Sequence, residues 1–353
     1  MSVTAIAERA GVSIATVSRV LNNNPNVRPE TAKQVMKAAA EMSYDRNKIR
    51  RGPRPGRRKA VRKVGCQRLA IVILGSRREE WFKWSVFSAV FSSITRFASA
   101  RGMSVDIFDQ TEPGKVDPAI VNGAVDGAIA FMAAAANPQL MHDLSSRVPV
   151  VRVMGDEMAT ASVDQVRPNN LAIGTVAYNY LAERGVKRIA FVSTRADHGG
   201  IYLRYIGLVA AATRAGTATP RALVMGASPS GTMADSVMQR FASLQEIVDH
   251  IAAVPDRFDG LFVSQDTEAI ALYTLLAERG IQPGRDLHVI SCNNEEGLSL
   301  LSPQPATIDV GAAELGRWAI QRLVNRVARP SEPPVQFLVA PKLILPGVVA
   351  ARD

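Results

Sequence analysis

The sequence predicts two kinds of fold in one chain: an all-α helix-turn-helix headpiece over residues 1–45, and an α/β core over 69–353 made of two doubly wound parallel-sheet subdomains. Three observations predict it. Short capped helical segments separated by a Gly-centred turn fill the first 45 residues. A cation-rich segment broken by Pro and Gly follows, over 46–68. From Leu69 onward, apolar runs of strand length alternate with longer amphipathic stretches. At 353 residues and 38.0 kDa the chain has room for two or three domains. A hydrophobic share of 47% with 21% charged residues supports packed cores and excludes extensive disorder or collagen-like sequence.

The headpiece elements follow from caps and apolar spacing. Thr4 is placed as the N-cap of a first helix that carries Ile6, Ala7 and Ala10 on one face and ends at Gly11. Ser13 caps a second helix extending to about Asn22. After the polar turn Asn22-Asn23-Asn24-Pro25-Asn26, Pro29 opens a third helix that turns Val35, Ala39 and Met42 inward. Along the second helix Val17, Val20 and Leu21 make the buried side, whereas Ile14, Ala15, Ser18, Arg19 and Asn22 form a contiguous outward strip. Such a strip suits a DNA major groove: Arg19 can bond a guanine edge in two places, Ser18 can donate or accept, and Ile14 and Ala15 offer apolar contact to thymine methyls. Thr4, Ser13, Thr16 and Asn22 are short polar residues suited to phosphates. The bland alternative is a helical cap with a solvated outer face; the adjoining cations weigh against it.

Charge placement sharpens this. The formal net charge is +10 and the pI near 9.9, yet residues 46–68 hold eleven Lys and Arg, Arg57 and Arg58 among them, and no Asp or Glu. Removing those eleven leaves 31 cations against 32 anions. Gly52-Pro53-Arg54-Pro55-Gly56 cannot continue a helix, so the segment is a boundary. It serves as a solvated spacer and, beside the headpiece, as a sequence-independent neutraliser of phosphates.

In the core, residues 69–74, 105–108, 128–131, 150–153, 189–192, 223–225, 261–263 and 289–291 are expected to be buried parallel strands. Ser99-Ala100-Arg101-Gly102, Leu181-Ala182-Glu183-Arg184-Gly185 and Leu276-Ala277-Glu278-Arg279-Gly280 each close a helix on a left-handed Gly before a strand. Doubly wound sheets bind ligands beyond the carboxyl ends of their strands, and two facing lobes enclose a cleft. The candidates there are Trp81 and Phe82, Asp197 and His198 with the following Arg204, Gln265 and Asp266, and Asn293 and Asn294. Amide, carboxylate and guanidinium groups beside aromatics suit a sugar or a nucleobase. Taken singly, Asp266 is also a good N-cap and Trp81 a reasonable core residue.

Other function classes find little support. Two cysteines, Cys66 and Cys292, give no disulfide framework or multi-cysteine metal site, and a reducing cytoplasm is the expected compartment. No uncharged run is long enough to span a bilayer, and the N-terminus lacks the order of a signal peptide, which argues against an exported solute-binding protein. Gly-Lys-Ser/Thr phosphate loops, Gly-x-Ser-x-Gly elbows and His-Glu-x-x-His motifs are absent, the four histidines are scattered, and Gly226-Ala227-Ser228-Pro229-Ser230-Gly231 is a turn rather than a phosphate cradle. No metal, cofactor or catalytic residue is expected; the rival is a sugar-modifying enzyme on the same α/β core, which would not need the headpiece.

The stretch Thr4-Ala5-Ile6-Ala7-Glu8-Arg9-Ala10-Gly11-Val12-Ser13-Ile14-Ala15-Thr16-Val17-Ser18-Arg19-Val20-Leu21-Asn22, continued through Val27, Thr31, Val35, Ala39 and Tyr44, resembles the helix-turn-helix of the lactose-repressor and purine-repressor family of bacterial transcription regulators. Val125-Asp126-Gly127, Asn169-Asn170, Arg204, Gln265-Asp266, Asn293-Asn294 and Pro305-Ala306-Thr307-Ile308 stand in family order, so the resemblance is nearly full length. It implies a periplasmic-binding-protein-like core whose subdomains, about 69–168 with 306–333 and about 169–305 with 334–353, are crossed by the chain three times. It also implies bases faced by Ser18 and Arg19, backbone near Asn22 and Asn26, and effector contacts at Trp81, Phe82, His198, Arg204, Gln265 and Asn293. The function implied is a cytoplasmic, homodimeric regulator, a repressor by preference, that binds double-stranded operator DNA under control of a small effector, a sugar by preference. The chain departs from the family at the hinge, where Pro53 replaces the expected Leu; a displaced hinge helix over 57–64, with Val61 or Val64 as the wedge, takes its place. It departs again in the cleft, where Asn169 and Ser291-Cys292-Asn293 replace patterns richer in carboxylates.

Overall fold

The computed structural model describes residues 3–21, 27–42, 66–133, 136–155, 162–195, 198–225, 238–253 and 258–347. The chain divides into two compact units, residues 1–63 and 64–353.

The smaller unit contains α1 (Val3–Ala10), α2 (Ile14–Leu21) and α3 (Pro29–Glu41). Their apolar positions meet in one cluster of Ile6, Ala7, Val17, Val20, Val35, Ala38 and Ala39, with Leu21 and Met42 packed at its edge. Gly11, at φ +64°, makes the left-handed turn between α1 and α2. Ser13 caps α2, its Oγ accepting from the Thr16 amide at 3.1 Å. Helix α1 begins one residue before the expected cap, so Thr4 lies inside its first turn. An exposed Arg9–Glu41 ion pair of 3.3 Å ties α1 to α3.

The larger unit contains two sheets. The first has the order β12-β5-β4-β3-β1-β2 and is parallel throughout: β1 (Arg68–Leu74), β2 (Ser104–Gln110), β3 (Gly127–Met132), β4 (Val150–Val153), β5 (Asp164–Pro168) and β12 (Gln336–Val339). The alternation of β1 is visible in its packing. Leu69, Ile71 and Ile73 face α5 (Ser85–Ser99) and α12 (Ala312–Ala328), while Ala70, Val72 and Leu74 face α6 (Pro118–Val121) and α7 (Gln139–Ser145). Strand β2 is an edge strand with only Gln110 buried, so residues 105–108 are not the buried strand expected.

The second sheet runs β13-β11-β10-β9-β6-β7-β8, with β6 (Ile189–Ser193), β7 (Arg221–Met225), β8 (Met238–Phe241), β9 (Gly260–Val263), β10 (His288–Cys292) and β11 (Ala306–Asp309) parallel and β13 (Lys342–Ile344) antiparallel to β11. Its Phe191, Phe262 and Ile290 pack under α8 (Asn170–Ala182) and α9 (Gly199–Arg214). Ala190, Val192, Leu261, Val263 and Val289 pack under α10 (Leu244–Ala253) and α11 (Asp266–Glu278). The three helix-closing glycines, Gly102, Gly185 and Gly280, all have positive φ, between 68° and 77°.

The chain passes between the sheets after β5, after β11 and after β12. Two allocations differ from expectation. Strand β11 belongs to the second sheet and β12 to the first, because these four-residue segments carry no lobe-specific hydrophobic pattern and only their pairing, β11 with β10 and β12 with β5, assigns them. Two of the crossing segments are bonded to each other, the Asn169 amide donating to the Val339 carbonyl at 2.9 Å.

Candidate functional site

The outward face of α2 is built as its residues dictate. Val17 and Val20 are 0% and 6% exposed, whereas Ile14 is 52% exposed and Ala15, Ser18 and Arg19 are exposed beside it. Ile14 thereby adds an exposed apolar side chain to the polar strip of Ser18 and Arg19. Arg19 makes no ion pair among the described residues. Ser13 and Thr16 are joined through their hydroxyls at 2.9 Å at the start of α2. Asn22, Asn26, Arg57, Arg58, Tyr44 and the hinge helix over 57–64 lie outside the described residues, as do Asp197, the 226–231 turn and the side chain of Thr4.

In the larger unit a cavity of about 320 Å³ opens between the two lobes. The first lobe contributes mainly apolar surface: Trp81 and Phe87, then Met132 and Ala133 at the end of β3, and Met154 and Gly155 at the end of β4. Trp81 sits on α4 (Arg78–Trp81) and is fixed twice. Its Nε1 donates to Ser76 Oγ at 2.6 Å, and its ring packs on Phe87 and Phe131 with centroids 5.2 and 5.8 Å apart.

The second lobe contributes polar surface: Arg195, His198, Arg204, Gln265 and Asn293. Arg204, 8% exposed, projects from α9, where Nε donates to Asn170 Oδ1 at 3.0 Å and Nη1 to the Ser264 carbonyl. The position of α9 is set by a glycine crossing: a Cβ on Gly174 of α8 would fall 2.0 Å from the Arg204 carbonyl, and one on Gly207 would fall 2.1 Å from the Leu171 carbonyl. Across the mouth, the Arg195 guanidinium of the second lobe lies over the Trp84 ring of the first, 4.2 Å from its centre. Two lining residues, Met154 at φ 59° and Asn293 at φ 120°, hold left-handed backbone that costs on the order of 1–3 kcal/mol each.

Behind the polar wall lie two buried carboxylates. Asp266, 0% exposed, accepts from the Glu295 amide at 2.7 Å and from Thr307 Oγ1 at 2.8 Å. Burial pushes its carboxyl up from 3.8 to about 6, against the hydrogen bonds it accepts. Glu268 is raised too, by burial, despite hydrogen bonds from Ser264 and Thr194 and the nearby Arg204 charge.

Of the residues expected at the effector site, Trp81, His198, Arg204, Gln265 and Asn293 come together on the cavity wall. Two do not. Phe82 is absent from the wall and stacks edge-on against Phe87 and Phe91 with centroids 5.1 and 5.0 Å apart. Asp266 braces the start of α11 to β11 behind Gln265. The residues missed, Ser76, Glu80, Trp84, Met132, Met154 and Arg195 among them, follow or end strands, so the strand-end rule applied to every strand finds most of them.

Residues 3–47 match the model of bacterial regulatory proteins of the lacI family, and residues 178–345 match a periplasmic binding protein-like domain. The chain thus joins a lacI-family helix-turn-helix region to a periplasmic binding protein-like domain. Full-length relatives agree. The ribose operon repressor of Escherichia coli is 24% identical over 97% of this chain and 98% of its own length. The HTH-type transcriptional repressor PurR of Pasteurella multocida is 22% identical over 98% of each. Among solved structures, a transcriptional regulator CelR–cellobiose complex superposes with TM-score 0.64 at 21% identity, covering 98% of this chain and 99% of that one. A lac repressor dimer bound to operator and the anti-inducer ONPF superposes with TM-score 0.63 at 20% identity, covering 98% of each. The protein is thus a DNA-binding transcription regulator, not a sugar-modifying enzyme. Among its described residues no helix is long and apolar enough to cross a membrane.

Proposed function

We propose that this regulator reads a two-fold operator as a cytoplasmic homodimer, with Ile14, Ala15, Ser18 and Arg19 against base edges and Ser13 and Thr16 against phosphates, and that a small effector in the interlobe cleft sets its operator affinity. The observation that carries the proposal is the cleft itself: an apolar aromatic wall on one lobe faces Arg204, His198, Gln265 and Asn293 on the other, in a chain that also bears the exposed α2 strip. A sugar is the favoured effector. The ribose operon repressor and the cellobiose complex among the similar proteins support that choice, and the lac repressor dimer supports two-fold assembly, which doubles the bases read by one short helix. Asn22, Asn26, Arg57 and Arg58 are assigned to the DNA backbone on sequence grounds.

Genomic fragments selected by the purified protein supply the operator for the test. Arg19→Ala is expected to weaken binding to that operator by about 1–3 kcal/mol and to relax preference at one base pair. An equal loss on random DNA would assign Arg19 to phosphates and remove it from readout.

A further inference from the structure

The polar wall of the cleft is rich in donors and poor in acceptors. Arg195 and Arg204 line it, and neither forms an ion pair among the described residues. Arg204 spends Nε on Asn170 and Nη1 on Ser264, leaving Nη2 with no acceptor among the described residues. Gln265, 7% exposed, has its Nε2 buried without a hydrogen-bond partner. The carboxylates close by are committed elsewhere. Glu268 accepts from the Thr194 amide and hydroxyl and from Ser264, and Asp266 accepts from Glu295 and Thr307. Glu80, exposed on the first-lobe side, is the one carboxylate lining the cavity among the described residues.

A neutral sugar does not fit that wall well. Each hydroxyl donates as well as accepts, so a site for neutral sugars needs acceptors, best supplied by carboxylates, opposite the ring. A carboxylate or phosphate only accepts, and a guanidinium only donates, in a geometry that pairs two N–H groups with two oxygens. We propose that the effector is a sugar-sized ring bearing an anionic group, a carboxylate or a phosphate, which Arg204 and Arg195 hold while the ring lies against Trp81. The proposal rests on the cleft being the effector site. The cavity, about 320 Å³, is of a size for one such ring, and Arg195 keeps N–H groups for the anion while its face stays on Trp84. Enclosure strengthens the pairing, because charges in a water-poor site attract more strongly than in bulk solvent.

The experiment is calorimetric titration of the full chain with matched pairs: D-glucose against D-glucuronate and a glucose phosphate, and D-galactose against D-galacturonate, with guanine in a separate titration. At least one acid is expected to bind tighter than its neutral partner by roughly tenfold or more, with the glucuronate and phosphate arms telling carboxylate from phosphate. Arg195→Gln, at the cleft mouth, is expected to erase that margin without altering the melting temperature of the free protein. A neutral sugar that binds as well as its acid overturns the proposal and leaves the sugar-effector reading standing. Binding of guanine alone overturns both, and a chain that binds none of the acids overturns the proposal.

Discussion

Asp266 shows how one residue can be functional in appearance and structural in place. Its position at the start of α11, next to Gln265, suggests a ligand contact, yet its oxygens are taken by Thr307 of β11 and by the Glu295 amide. Burial is the main cause of its raised pKa, with the Glu295 carboxylate adding to it. A carboxyl whose folded pKa lies above its unfolded value contributes stability that is complete below the unfolded pKa, 3.8, and is lost as pH rises through the folded one, about 6. Asp266→Asn removes that titration. Chemical denaturation should show the variant gaining on the parent between about pH 4 and pH 7, by a margin on the order of 3 kcal/mol. A margin that does not change with pH would contradict the burial account. Arg195 carries the opposite lesson: it follows the end of β6, within reach of the strand-end rule, but its partner Trp84 comes from the other lobe, so the pair is invisible until the lobes face each other.

Helices α8 and α9 cross at Gly174 and Gly207, where backbone meets backbone, and that crossing sets where Arg204 enters the cleft. Gly174→Ala places a methyl against the Arg204 carbonyl, so the helices must separate. Thermal denaturation should show a loss of about 1–3 kcal/mol, and effector affinity should fall with it. A variant as stable as the parent would mean that the helices can slide apart freely. The strands show what sequence pattern can and cannot carry. The continuous apolar runs that became β1, β3, β4, β6, β9 and β10 were legible because both faces are covered by helices. Strand β5, Asp-Gln-Val-Arg-Pro, was not. Its Asp164 is buried by pairing with Arg326 at 2.7 Å and Arg322 at 3.0 Å, partners more than 150 residues away in the chain, so its burial leaves no apolar signature. Strands β11 (Ala-Thr-Ile-Asp), β12 (Gln-Phe-Leu-Val) and β13 (Lys-Leu-Ile) are short and each carries a polar or charged residue, so neither a continuous apolar run nor a period registers.

On the scale of the whole molecule, the net charge of +10 is concentrated between the headpiece and the core, in the segment over 46–68. Neutralising Arg57 and Arg58 together, as Arg57→Gln with Arg58→Gln, should lower the salt slope of DNA binding by about 1 per residue, equally on operator and random DNA. A slope unchanged from the parent would make the segment a spacer alone. The helix-turn-helix and the exposed face of α2 were legible in the first 21 residues, because the cap, the turn glycine and the two-faced α2 are local features. The cleft was legible only as a set of strand ends; its walls, and the turning away of Phe82, depend on packing between segments far apart in sequence.

The central claim is that occupancy of the cleft controls the headpiece. It is tested most directly by fluorescence anisotropy of a labelled operator titrated with the full chain, with and without saturating ligand from a panel of ribose, cellobiose, glucuronate and guanine, for the parent and for Arg204→Ala. One ligand is expected to change operator Kd in the parent by about fivefold or more and to leave Arg204→Ala unmoved, while the two proteins bind operator alike without ligand. A parent whose operator affinity is the same with every ligand, or an Arg204→Ala variant that responds as the parent does, would contradict it.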